Sequence, residues 1–244
     1  MSDEMGETVE LLTDQPSDGV LRLLLNRPDR LNAVNTSIVD SLLASFKAVD
    51  ARAVILGSTT SRGFCSGADL DLEDEERARV SDKLYELYEQ MLRLPIPIVA
   101  AIEGHAVGAG AQLAVASDLR IAGPGAKIRV AGPGHGLAVA AWGLPSLVGR
   151  GRALDLCLTM RSIDAREALA MGLVDRIEEN PSEAAVRLAS SLAELDTAAA
   201  GRVKRVVAGV SGCLEALREE RAGNREAWSG SVAALSSQRG GVNR

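Results

Sequence analysis

The sequence predicts an α/β fold, and three observations carry that expectation. Short apolar runs rich in β-branched residues alternate with amphipathic segments through the first part of the chain, as strands and crossover helices do. Residues 98–122, I-V-A-A-I-E-G-H-A-V-G-A-G-A-Q-L-A-V-A-S-D-L-R-I-A, read as strand, tight turn, helix and strand. Apolar residues make up 46% of 244 and charged residues 25%, values of an ordinary globular chain. Aromatics are only 2%, so the core must be built of Ala, Val, Leu and Ile.

The elements follow in order. Residues 8–13 and 19–26 suit two strands joined by the polar turn Q-P-S-D-G. R-P-D-R-L-N-A is a Pro-containing loop, and Asn35 or Thr36 can cap a helix with Ile38, Leu42, Leu43 and Phe46 on its apolar face. Residues 53–56 suit a buried strand, and the charge run 71–79 a solvated loop or helix start. Residues 80–94 have helical periodicity and stop before Pro95 and Pro97. In the central stretch the helix is expected from Ala111 to about Ser117. Residues 121–136 suggest short strands and loops, and helices are expected at about 150–160, 164–172, 182–195, 198–208 and 213–236, with one short strand at 174–177. The chain divides into a core at 1–190 and a helical region at 191–244 that packs on the core or on a neighbouring subunit.

Charge and composition narrow the partners. A net charge of −6 argues against general nucleic-acid binding, and no apolar run reaches the length of a membrane span. The acidic start M-S-D-E-M-G-E-T-V-E lacks the features of a signal peptide. Cys65, Cys157 and Cys213 are odd in number and far apart, which suits neither a disulfide framework nor a metal site. A reducing, cytoplasmic setting is the economical expectation. An anionic ligand must then be met locally, by a few Arg or Lys and by helix N-termini.

Two turns of small residues carry the chemistry. S-G-A-D at 66–69 and G-A-G at 108–110 each follow an apolar, strand-like lead-in, about forty residues apart. A turn at a helix start leaves backbone N–H groups unpaired, and no side chain larger than a methyl blocks approach to the second turn. Such a place can stabilise negative charge developing on a carbonyl oxygen. Each turn alone is a weak signal, because tight strand-to-helix turns are common and a purely structural role is the commoner reading.

Taken together, N-R-P-D-R-L-N-A-V-N, F-C-S-G-A-D-L, E-G-H-A-V-G-A-G-A-Q-L-A-V-A-S-D-L-R-I-A and A-R-E-A-L-A-M-G-L-V-D-R-I resemble the crotonase (enoyl-CoA hydratase/isomerase) superfamily over about residues 8–210. The resemblance implies a ClpP/crotonase-like spiral of ββα units with a C-terminal helical region, and a homotrimer or a hexamer made of two trimers. It also implies an acyl-CoA ligand in fatty-acid metabolism, with coenzyme A as part of the substrate and no separate cofactor or metal. By position, the N–H groups of Ala68 and Ala109 become the oxyanion hole; relatives usually carry Gly where Ala109 stands, and alanine keeps the donor. Asp29, Arg30 and Leu31, with Ala68, Asp69, Leu70, Asp71 and Ala109, match places where relatives hold CoA. Arg30 and the Lys204-Arg205 pair are candidate phosphate contacts, with exposed, solvated side chains as the alternative. The tail S-S-Q-R-G-G-V-N-R lacks the aromatic and basic residues that relatives place there.

The pattern departs from the resemblance at the acids. Hydratases of the superfamily hold and activate water with two glutamates, and those positions here are Gln112 and Gly132. A further carboxylate position of some isomerases falls near Ala140. Gln112 can hydrogen-bond a water but cannot take its proton. General acid–base help contributes about 10²–10⁴-fold, so hydration is expected to be slow and a carrier or regulator role stays open. Restoring glutamate at 112 and 132 is the corresponding gain-of-function expectation. His135, in G-P-G-H-G, is a candidate base beside its reading as a loop histidine. His105 and Cys65 are expected to be packing residues, Asp69 and Asp118 turn and cap residues, and Gly132 and Trp142 part of the acyl pocket.

Overall fold

The computed structural model describes residues 9–229. The N-terminal M-S-D-E-M-G-E-T, the S-S-Q-R-G-G-V-N-R tail and the end of the helix expected to reach 236 lie outside the described residues. Strands β1 (Leu11–Ser17) and β2 (Val20–Leu25) form an antiparallel hairpin, followed by a 3-10 turn at Pro28–Arg30 and helix α1 (Thr36–Lys47). Three strand–strand–helix units come next. They are β3 (Ala53–Ser58), β4 (Gly63–Cys65) and α2 (Asp74–Arg93); β5 (Ile98–Ile102), β6 (His105–Val107) and α3 (Ala109–Ala116); and β7 (Leu119–Ala122), β8 (Lys127–Arg129) and the pair α4 (Leu144–Val148) and α5 (Arg150–Thr159). Then β9 (Ser162–Asp164), α6 (Ala165–Met171), β10 (Arg176–Ile177), α7 (Pro181–Ala193), α8 (Thr197–Ser211) and α9 (Cys213–Ser229) complete the described chain.

Each unit divides its two strands between two sheets. The larger sheet runs β1-β2-β3-β5-β7-β10 and the smaller β4-β6-β8-β9. Successive units therefore stack their first strands in one sheet and their second strands in the other, all parallel along β3-β5-β7 and along β4-β6-β8.

The larger sheet is buried on both faces, which is why its strands read as continuous apolar runs. Val54, Leu56, Ile98, Ala100 and Ile102 face the main core with α1, α2 and α3. The alternate residues Ala53, Ile55, Val99 and Ala101 face α7, whose contact stripe is Ala184, Ala185, Ala189 and Ala193. A stripe of methyl groups lets that helix sit close to the sheet, so a core poor in aromatics still closes.

Most expected elements occur, with instructive differences. Asn35 is the cap of α1, its side chain accepting from the Ile38 amide at 2.9 Å. The first turn is tighter than expected. β1 continues through Pro16 to Ser17 and leaves Asp18-Gly19, with Gly19 at φ +71°, to reverse the chain. Proline is tolerated because β1 is an edge strand, and the register slips between Asp14 and Ser17. Residues 74–79 of the charge run form the first turns of α2, where Asp74, Glu75 and Glu76 suit the positive end of the dipole. α3 begins at Ala109, two residues before the expected start. Gly110 is inside it because a Cβ there would lie 2.2 Å from the Cys65 carbonyl oxygen. The short strand β9 was not expected from the sequence: only Ile163 of its three residues is buried, too little for an alternation signal.

The two last helices pack on their own chain. Lys204 of α8 reaches into the interior, and α9 lies along α2 through ion pairs of Arg221 and Arg225 with Asp82 and of Arg218 with Glu89.

Candidate active site

Parallel pairing of β4 with β6 brings the two small-residue turns together. Cys65 pairs with Ala106, so both strands deliver their C-terminal ends side by side. A Cβ built on Gly67 would lie 3.2 Å from the Val107 oxygen and 4.0 Å from the Ala109 nitrogen. A Cβ on Gly108 would lie 3.9 Å from the Gly67 Cα. Gly67 at φ +110° combines positive φ with a tight approach, and Gly108 at φ +53° needs glycine for its backbone angle, its neighbours being at ordinary contact distance.

The direction of the two donors follows from backbone pairing. Val34 N–H donates to the Gly67 carbonyl at 2.7 Å, and Asp69 N–H donates to the Val34 carbonyl at 2.9 Å. Gly67 and Asp69 thus bracket Val34, and the intervening Ala68 N–H is turned to the opposite side, as alternation along an extended segment requires. Ala109 is the first residue of α3, so its N–H has no partner within the helix. Both alanines line one cavity of about 540 Å³. Tyr88 steadies the start of α3 by donating to the Ala109 carbonyl at 3.3 Å.

The cavity wall holds Arg30, Ala68, Asp69, Leu70, Asp71, Ala109, Gln112 and His135 among the residues expected from the sequence. Arg30 pairs with Asp71 at the exposed rim. Asp69 is buried, bound to Arg27 Nη1 at 2.6 Å and accepting from the Asp71 amide at 3.0 Å. Those contacts, with Arg27 foremost among the charges, hold its carboxyl below the ordinary range against the opposing effect of burial. It therefore braces the first turn and does not cap the following helix as expected, since α2 starts at Asp74 with Glu73 before it. His135 is exposed in a 3-10 turn at Pro133–His135.

Further expectations change. Asp29 is exposed and off the wall, and Leu31 acts behind it, its carbonyl accepting from the Ser66 amide at 3.0 Å. Gly132 is buried beneath the wall, where a Cβ would stand 2.7 Å from the Leu137 carbonyl and 2.8 Å from Val139. A glutamate there has no room, so the double restoration at 112 and 132 is not a workable gain of function. Trp142 is also behind the wall, stacked on Tyr88 with centroids 6.1 Å apart and donating its indole N–H to Gln112 Oε1 at 3.0 Å. Lys204 is neither a phosphate contact nor solvated. Its ammonium donates to Asp118 Oδ2 at 2.7 Å and to the carbonyls of Met91 and Ile96 at 3.0 and 3.1 Å. Asp118 also accepts from the Ile98 amide at 2.7 Å, the turn-fixing role expected of it.

Cys65 is fully buried, and burial pushes its thiol up to about 12, which suits packing and not nucleophilic attack. His105 is an exposed residue of β6, so the packing role expected of it does not hold, and it is not on the wall either.

Sequence reading missed Arg77, Arg129, Met160 and Trp228 on the wall. Arg77 stacks over the Trp228 ring at 5.4 Å, so α9 closes one side of the cavity. Both tyrosines and both tryptophans of this aromatic-poor chain are at or just behind the site. Tyr85 donates to Glu220 at 2.6 Å, and Glu220 accepts from the Trp142 amide at 3.0 Å. Asn224 clasps Ala138 through both of its backbone groups, at 2.9 Å to the amide and 2.7 Å to the carbonyl. Only the scarcity of aromatics hinted at this cluster. Among the described residues no three His, Cys, Asp or Glu converge as a metal would require, and no helix is long and apolar enough to cross a membrane.

The comparisons agree with this architecture. The family model described as enoyl-CoA hydratase/isomerase matches residues 15–241. A probable enoyl-CoA hydratase, echA6, of Mycobacterium tuberculosis (strain CDC 1551 / Oshkosh) is 40% identical over 168 residues, 66% of this chain and 68% of that one. The 1,2-epoxyphenylacetyl-CoA isomerase of Escherichia coli (strain K12) is 31% identical over 215 residues, 82% of each chain. A crystal structure of an enoyl-CoA hydratase/isomerase from Mycobacterium paratuberculosis superposes with a TM-score of 0.83 at 25% identity, covering 94% of this chain and 98% of that one. With its paired sheets, its strand–strand–helix units and its C-terminal helices, the chain has the crotonase fold and belongs to the enoyl-CoA hydratase/isomerase family.

Proposed function

We propose that the cavity binds an acyl-CoA thioester with its carbonyl oxygen between the N–H groups of Ala68 and Ala109. The observation that carries this reading is the convergence of two turns, on adjacent parallel strands, whose unpaired backbone donors line one cavity. Donors fixed before the reaction stabilise charge as it develops on a thioester enolate, without reorganisation during the step. Arg30 at the rim, with Arg77 and Arg129 on the wall, supplies positive charge for the CoA phosphates of an otherwise acidic protein. No cofactor beyond the substrate's own coenzyme A enters the scheme. His135 is the candidate base on the wall, and His135→Ala is expected to abolish turnover while leaving acyl-CoA binding in place.

A second reading, a carrier or regulator that binds acyl-CoA without efficient hydration, is favoured by Gln112. Its amide oxygen is already engaged by Trp142 and Ala140, so only the side-chain nitrogen is left for the water-holding role expected of Gln112, and a nitrogen that donates cannot take a proton from water. Both readings share the bound thioester. Calorimetric titration with acyl-CoAs of increasing chain length tests it, and absence of binding across the series rejects it. Crotonyl-CoA hydration then separates the two readings: slow turnover is expected, and an efficient native hydratase overturns the argument from the missing acids.

A homotrimer or pair of trimers is part of the proposal. Val203, Val206, Val207 and Val210 form an exposed stripe on α8, 65–85% accessible, with the i, i+3, i+4, i+7 spacing of one helix face. An apolar stripe of this kind supports burial against another copy.

A further inference from the structure

One wall of the cavity is a segment that belongs to no strand or helix. Leu137 and Val139 line the cavity, and residues 136–143 run between the 3-10 turn at Pro133–His135 and α4. A segment outside a sheet must place its backbone hydrogen bonds elsewhere. Here alternate amides go to three side chains. The Ala138 amide donates to Asn224 Oδ1 at 2.9 Å, the Ala140 amide to Gln112 Oε1 at 3.1 Å, and the Trp142 amide to Glu220 Oε2 at 3.0 Å. Asn224 Nδ2 also donates to the Ala138 carbonyl at 2.7 Å. One side chain of α9 thus takes both backbone groups of the residue between Leu137 and Val139, as a neighbouring strand would.

The two α9 residues are joined through Tyr85, whose hydroxyl donates to Glu220 Oε1 at 2.6 Å and accepts from Asn224 Nδ2 at 2.7 Å. Glu220 and Asn224 are 8% and 5% exposed, and neither is on the wall. A buried polar network with its partners in place rigidifies what it holds. What this one holds faces the cavity away from the rim. Val139 is buried and adjoins the residue bonded to Gln112, whereas Arg30 is at the exposed rim. We propose that Asn224 and Glu220 are positioning residues for acyl-chain selectivity: without touching the ligand, they hold Leu137 and Val139 against the acyl chain beyond the thioester. This rests on the thioester pose proposed above. An acetyl group reaches one carbon past the carbonyl, while Gln112, which meets this segment, is one helical turn, about 5.4 Å, beyond the Ala109 donor. An octanoyl chain runs along the wall and is stabilised by burial against it. With the clasp gone the wall is in its binding position for only part of the time, and affinity for the longer chain falls by that fraction.

The test is calorimetric titration of acetyl-CoA and octanoyl-CoA into the native protein and three variants, each first checked by thermal melting. The native protein is expected to bind octanoyl-CoA more tightly than acetyl-CoA. Asn224→Ala should fold, because Ala138 is exposed and water can take over its two backbone groups. Its affinity for octanoyl-CoA is expected to fall about tenfold, while that for acetyl-CoA stays at the native value. Glu220→Leu, which cannot accept from the Trp142 amide, is expected to show the same split; if it does not fold, Asn224→Ala carries the test. Glu220→Gln keeps an acceptor oxygen and is expected to keep the native selectivity. Equal native affinities for the two ligands, equal losses for both in Asn224→Ala, no loss there at all, or lost selectivity in Glu220→Gln overturns the inference alone. Failure of acetyl-CoA and octanoyl-CoA alike to bind the native protein rejects the thioester pose and the inference with it.

Discussion

Two polar centres flank the start and the end of α3, and they are built on opposite terms. Around Asp118 and Lys204, just past the C-terminal end, every group has its partner within the protein: one carboxylate, one ammonium, two carbonyls and one amide. At the N-terminal end, Ala68, Ala109 and Gln112 all line one cavity, and neither the two alanine N–H groups nor Gln112 Nε2 has a described acceptor. A closed centre ties α8 to the turn before β5 and contributes stability. An open one contributes a place for an oxygen that the protein itself does not supply.

The sharpest way to break the contrast is Ala109→Pro. Proline suits the first position of a helix, where its missing N–H has no helical role, and Gly108 before it accepts unusual backbone angles. The variant should fold with a melting temperature near the native one, yet lose one donor of the proposed oxyanion hole and crowd the place proposed for the oxygen. Turnover of any thioester that the protein processes should drop by about 10²–10³-fold, some 3–4 kcal/mol of transition-state stabilisation. Unchanged turnover in a folded variant would remove Ala109 from the chemistry.

Lys204→Met is the complementary experiment at the closed centre. It leaves Asp118 without its cation in a mostly buried place, which should cost on the order of 3 kcal/mol of stability. Affinity for acyl-CoA should stay near the native value, measured at a temperature where the variant remains folded. A loss of affinity without a loss of stability would return Lys204 to the role of phosphate contact.

How much of this was legible depends on how far apart in sequence the cooperating residues are. The strands and helices were visible because periodicity is a local signal, and the two turns because small residues cluster at them. The orientation of Gln112 was not, since it is set by Trp142 thirty positions later and by a loop clamped from Glu220, 78 residues beyond Trp142. Lys204 looked like a helix-face cation because nothing near it in sequence announces Asp118, 86 residues away. Gly132 looked like a vacated glutamate position. Its surroundings show instead a backbone folded too tightly for any side chain.

That tightness gives the next prediction. Gly132→Ala should cost about 1–3 kcal/mol, because the new methyl meets a carbonyl and a β-branched side chain at under van der Waals distance. Gly132→Glu should be worse and should not raise hydration. If Gly132→Ala melted at the native temperature, the wall between Ala131 and Val139 would have to be more yielding than its geometry indicates.

The smallest effect lies at the surface, where a closed centre is partly wet. Asp82 is paired with Arg221 and Arg225, and these guanidinium groups hold its carboxyl well below the ordinary carboxylate range. A depressed carboxylate contributes stability that is present above its unfolded-state pKa and is lost as pH falls through the folded one. Glu220, a short way along α9, has the opposite sign: burial raises its pKa, so its contribution is full in acid and is lost as pH rises through the folded value. Asp82→Asn should therefore lower stability by about 1 kcal/mol at neutral pH, with a smaller difference at high salt. The gap between native and variant melting temperatures should close as the pH is lowered towards full protonation of Asp82. If the gap instead stayed constant with pH, the ion pairs would not be the cause, and the anchoring of α9 would have to rest on Glu220, Asn224 and the apolar contacts of Leu217.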